Sequence, residues 1–118
     1  MTTIENNKLM MVFLGYEEIY SPLENIFELS ENETILESDL TFHSDWNQLM
    51  KVVDKIESLN DGQFQVNILQ EGCFIQRWCS YTICDKRISL VPVDTQKIDS
   101  VYMACIGFII WWKDLTKR

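Results

Sequence analysis

The side chains with chemistry to offer are one histidine, four cysteines and eighteen acidic residues. His43 stands two positions before Asp45, a pairing in which a carboxylate can orient an imidazole general base. A lone histidine at a helix start is more often a capping or packing residue, and that is the expectation. Cys73, Cys79 and Cys84 fall within a dozen residues, with Cys105 farther along. They form no C-x-x-C pair, so buried free thiols are expected, with a thiolate site at Cys73, Cys79 and Cys84 as the competing reading. Glu17/Glu18 and Glu31/Glu33 are acid pairs without a second ligand type beside them, which favours solvated carboxylates over a metal or acid/base site. No G-x-S-x-G, G-x-x-x-x-G-K-[ST] or G-x-G-x-x-G occurs, and the chain has only four glycines. The expectation is therefore a protein that is not an enzyme, with no catalytic residues, no metal and no cofactor.

The distribution of charge says more than the net value of −8. Residues 1–42 hold nine acids and a single base, Lys8, whereas residues 43–118 hold nine acids and nine bases. Between Glu17 and Asp39 there is no basic residue. A field of that sign repels nucleic acid and steers a basic protein surface inward, with a strength that falls as salt rises. Phe74, Trp78 and Tyr81 offer rings for base stacking, but no basic groove accompanies them, so core packing is expected instead.

These residues must be held by elements, and the clearest is His43–Asn60. Ser44 is the expected N-cap, with Asp45 in the first turn. Trp46, Leu49, Met50, Val53 and Ile56 recur at helical spacing, and Asn60-Asp61-Gly62 stops the run. Ahead of it, Thr3–Gly15 predicts a short helix capped by Thr3, and 16–42 predicts an acidic, partly irregular excursion whose apolar residues pack on the body. After it, Phe64, Val66 and Ile68 alternate with polar residues as in a half-buried strand. Glu71-Gly72 turns into a second strand with Cys73, Ile75, Arg77 and Cys79 on one face. Asp85-Lys86-Arg87 makes a further turn, and Ile88–Val91 forms a last strand closed by Pro92. The closing helix, Asp94–Thr116, has Asp94 or Thr95 as N-cap. It is apolar nearly all round between 101 and 112, so its own domain or a partner must enclose it.

At 118 residues the chain fits one domain, 1–118. The fold class expected is α+β: two main helices packed on a small three- to four-stranded antiparallel sheet, with a short N-terminal helix and an acidic loop. The longest apolar block, Val101–Trp112, is too short to cross a bilayer, and no leader is recognisable, so no membrane association and a cytoplasmic location are expected.

Three blocks carry a resemblance: Asn6–Gly15 (NNKLMMVFLG), His43–Glu57 (HSDWNQLMKVVDKIE) and Ser100–Trp111 (SVYMACIGFIIW). Together they cover about a third of the chain and resemble a group of small hypothetical proteins encoded by bacteriophages and prophages. The order of elements is similar too, although Lys51 stands where those proteins often carry proline. The resemblance implies a fold and a phage setting inside a bacterial host, and no activity. With the acidic first third it leads to the expectation of an anti-defence inhibitor, for example an anti-CRISPR. Such a protein would bind a host nucleic-acid-handling protein through Glu24, Glu28, Glu31, Glu33 and Glu37, with Trp46 or Trp111 as anchors. The competing expectation is a self-assembling accessory protein with no host target, a homodimer joined through the closing helix.

Overall fold

The structure, a computed structural model, describes residues 2–79, 82–83, 88–92 and 96–116. It is α+β, with three α-helices and two antiparallel sheets. The first helix, α1 (Thr3–Phe13), starts one residue earlier than expected, because Thr2 is the cap and its hydroxyl accepts the Glu5 N–H at 3.1 Å. Just past its end, Gly15 has a φ of +99° that lets the chain reverse while the Gly15 and Tyr16 amides bond back to Val12 and Met11.

The segment 16–42 departs most from expectation. In place of an irregular excursion it forms a sheet in the order β1 (Glu18–Ile19), β2 (Ile26–Ser30), β3 (Glu33–Leu36), followed by a short 3₁₀ turn over Glu37–Asp39. Its strands are short and its turns are built from Pro, Asn and Ser, so each strand offers only one or two inward side chains. Phe27, fully buried, and Leu29 and Ile35 beside it join the core.

The second helix, α2 (Trp46–Ser58), buries Leu49, Val52, Val53 and Ile56. Its cap is Asp45, not Ser44: the Asp45 carboxylate accepts the Asn47 N–H at 2.9 Å. Asn60 and Gly62 both take left-handed backbone conformations at its end, as the Asn-Asp-Gly stop predicts. The second sheet is centred on β5 (Gly72–Cys79). Along one edge lies β4 (Phe64–Ile68), with Phe64 opposite Arg77 and Ile68 opposite Cys73. On the remaining side β6 (Thr82–Ile83) pairs with Trp78 and Cys79, and β7 (Ser89–Pro92) pairs with residues 72–75. Glycine is required at 72 because a Cβ there would stand 2.5 Å from the Val91 carbonyl oxygen.

Helix α3 (Lys97–Thr116) lies across β5 and β7 and also meets α1 and α2, while α2 packs on β4. Seen from α3, the enclosure is nearly complete: Val101, Ala104, Cys105, Phe108 and Ile109 are fully buried and Ile106 nearly so, which leaves Met103 and Ile110 as its exposed large apolar residues above Leu115. The expected turn at 85–87, the caps Asp94 and Thr95, Tyr81, Cys84 and the side chains of Trp78 and Cys79 lie outside the described residues.

Candidate functional site

His43 is built into the fold. The Asn7 amide donates to the Leu40 carbonyl and to His43 Nδ1, both at 3.0 Å, and the Tyr102 hydroxyl donates to Asn7 Oδ1 at 2.8 Å. An amide nitrogen has only hydrogens to give, so His43 Nδ1 accepts and its proton sits on Nε2. The network ties α1, the 40–43 linker and α3 together. Burial also pushes the Tyr102 hydroxyl up to about 12, so it stays a donor at neutral pH.

The two described cysteine side chains are free, buried thiols. Burial pushes Cys73 up to about 11, and it pushes Cys105 up as well, with the neighbouring Cys73 adding to the effect. Thiols so placed remain protonated and unreactive. Among the described residues no group of three His, Cys, Asp or Glu side chains converges as a metal site.

The acidic third resolves into three settings. Lys8 on α1 bonds Glu18 at 2.7 Å and Glu37 at 3.1 Å, and Asn25 adds a hydrogen bond to Glu18. The Lys8 hydrogen bond holds the Glu18 carboxyl below its ordinary value of 4.5 against the opposing effect of burial, and Glu18 in turn raises Lys8. Glu37, expected as a partner contact, is thus occupied inside the fold. Glu24 is half-buried and accepts from the Ser38 hydroxyl at 2.7 Å. Glu17, Glu28, Glu31 and Glu33 are exposed and make no ion pair among the described residues.

The pleat sorts these side chains. Phe27 and Ile35 are paired on the inner face, and Glu28 and Thr34 on the outer one. Glu17, Glu28 and Glu31 line an open groove together with Gly15 and Ser30. Glu33, also exposed, lines instead a cavity of about 400 Å³ together with Met11, Leu29, Ile35, Phe42 and, from α2, Gln48 and Lys51. That cavity has the size of a small-ligand site, but its lining includes neither histidine nor cysteine.

The two tryptophans expected as anchors lie away from this sheet in the chain and differ from each other. Trp46 opens α2 and is 40% exposed, so it does not share the burial of Leu49 and Ile56. Trp111 is half-buried in a cluster of rings, 5.9 Å from Phe64 and 5.7 Å from Phe108, with Trp112 beside it. Four of the large apolar side chains that are exposed lie on the first sheet and its loop: Ile19, Tyr20, Leu23 and Leu36, with Tyr20 and Leu23 of that loop the most exposed of all. The sequence signal for Ile19 and Leu36 was the polar–apolar spacing of two in Glu17/Ile19, Ile26/Glu28 and Thr34/Leu36, which shares a face only once the strands are paired. Compared with protein families, with curated proteins and with solved structures, the chain finds no match in any of the three.

Proposed function

We propose that the protein is a phage-encoded, non-enzymatic inhibitor. It acts in the bacterial cytoplasm by binding a basic, nucleic-acid-handling defence protein such as a CRISPR effector. The observation that carries this reading is the state of the acidic third: its sole base is held by Glu18 and Glu37, which leaves Glu17, Glu28, Glu31 and Glu33 exposed without an ion-pair partner among the described residues. Carboxylates held on and beside a folded sheet mimic the charge, though not the bases, of a nucleic acid, and they compete for the same lysines and arginines. The phage setting rests on the resemblance of the three sequence blocks.

The test is a pull-down with tagged full-length protein from bacterial lysate across a salt series. A single nucleic-acid-handling partner released as salt rises, and lost when Glu17, Glu28, Glu31 and Glu33 are changed to Lys, is the expected result. Inhibition that survives the charge reversal would overturn it. The competing reading, a self-assembling accessory, draws on Met103 and Ile110, exposed seven residues apart on α3. Sedimentation that shows a monomer at every concentration removes that reading.

A further inference from the structure

The outer face of the first sheet carries an apolar row as well as charge. Ile19 is paired with Ile26, and Ile26 with Leu36, so three branched side chains lie side by side across all three strands. Ile19 and Leu36 are 39% and 43% exposed. The hairpin loop that leaves Ile19 and returns at Ile26 adds Tyr20 and Leu23, exposed at 83% and 97%. Contiguous apolar groups held in water on an ordered sheet mark a surface that something covers. Two residues along β2 and β3, the next row is Glu28 and Thr34, and the acidic groove beside it brings Glu17 and Glu31. An apolar centre with a charged rim is the anatomy of a protein interface.

We propose that this face anchors the interaction, and that its occupant is a protein surface with an apolar centre edged by lysine or arginine. The inference rests on the proposed inhibitor reading and names the anchors within it. The charge of the rim selects the occupant. A second copy of this chain docked by the same face would set one acidic rim against another, and an anionic lipid surface or a nucleic acid would meet the same repulsion. The apolar row governs the lifetime of the complex, and the carboxylates govern its rate of formation and salt dependence. Trp46 and Trp111 take no part.

The experiment places a photo-crosslinking phenylalanine analogue at Tyr20, Leu23, Trp46 or Ile110 of the full-length protein in bacterial cells and identifies each adduct by mass spectrometry. Positions 20 and 23 are expected to give an adduct with one basic protein. Ile19→Ser with Leu36→Ser should cut its yield at least tenfold at unchanged melting temperature, and Glu17→Gln with Glu28→Gln should flatten its salt dependence. Leu23→Ser, at the most exposed position, repeats the test should the double variant lose its fold. Adducts with the basic protein from Trp46 or Ile110 alone would overturn this inference and leave the inhibitor reading standing. Adducts at 20 and 23 that join two copies of the chain, or that capture nucleic acid, would overturn it as well. The absence of any adduct at all four positions would overturn both.

Discussion

The sheet of β4–β7 has α3 lying across β5 and β7 and α2 against β4, and even its β4 edge is attended, since the Glu57 carboxylate accepts the Val66 N–H at 3.1 Å. The sheet of β1–β3 sends Phe27, Leu29 and Ile35 from its inner side to the core, and a single lysine from α1 ties down only Glu18 of its carboxylates, with Glu37 of the turn that follows. The first arrangement consumes its apolar surface in stability. The second keeps apolar and acidic surface available, and a binding face needs that availability. Charge follows the same division: the segment from 43 onward is balanced, and the acidic third is not.

The largest expected effect lies in the covered half. Phe108 is fully buried, with its ring 5.0 Å from Phe64 and 6.4 Å from Phe13, so Phe108→Ala should cost about 3–5 kcal/mol and lower the melting of the whole chain in calorimetry. Next comes Gly72→Ala, which drives a methyl into the Val91 carbonyl and should cost about 1–3 kcal/mol. Hydrogen exchange should show β5 and β7 losing protection while β1–β3 keep theirs; equal loss in both sheets would mean that they unfold as one unit.

Lys8→Met tests the other side of the comparison. It leaves Glu18 and Glu37, both largely buried side chains, without their shared base, and should cost about 1–3 kcal/mol with exchange accelerated first in β1–β3. Acid should act on the same bond. Because the Glu18 carboxyl is held below 4.5, its contribution is complete above that pH and is lost as pH falls through the lower, folded value. The raised Lys8 contributes below 10.5 and its share is lost only as pH rises beyond that. Amide exchange followed from pH 6 downward should therefore open the first sheet before the second, and Glu18→Gln should remove that difference. The smallest effect on stability belongs to Leu23→Ser, within about 0.5 kcal/mol by thermal melting, because the side chain touches almost nothing in the free protein.

Much of the covered half was legible in the residues. The period of α2, the alternation of Phe64, Val66 and Ile68, and the stop at Asn60-Asp61-Gly62 each produce the element they predict, because long periodic runs and turn residues act locally. The last strand, expected as Ile88–Val91 closed by Pro92, instead runs Ser89–Pro92 with Pro92 paired to Gly72. The caps moved by one residue, to Thr2 and Asp45, since two adjacent polar side chains competed and only the chain path decides which reaches the open amide. The acidic third was the least legible. A two-residue strand has no period to read, and Ile19, Ile26 and Leu36 lie far enough apart in sequence that nothing local aligns them.

Sequence alone determined the α+β class, the charge asymmetry and the apolar character of α3, since all three follow from composition and short-range period. Tertiary structure decided which acids remain exposed and which apolar residues stay uncovered. Lys8 reaches Glu18 and Glu37 because α1 packs beside the first sheet, and Trp111 is drawn into a ring cluster because α3 meets β4 and β5. Those outcomes depend on contacts between segments distant in the chain. Their physical cause is the competition among all apolar side chains for a limited interior, which no stretch of residues can settle by itself.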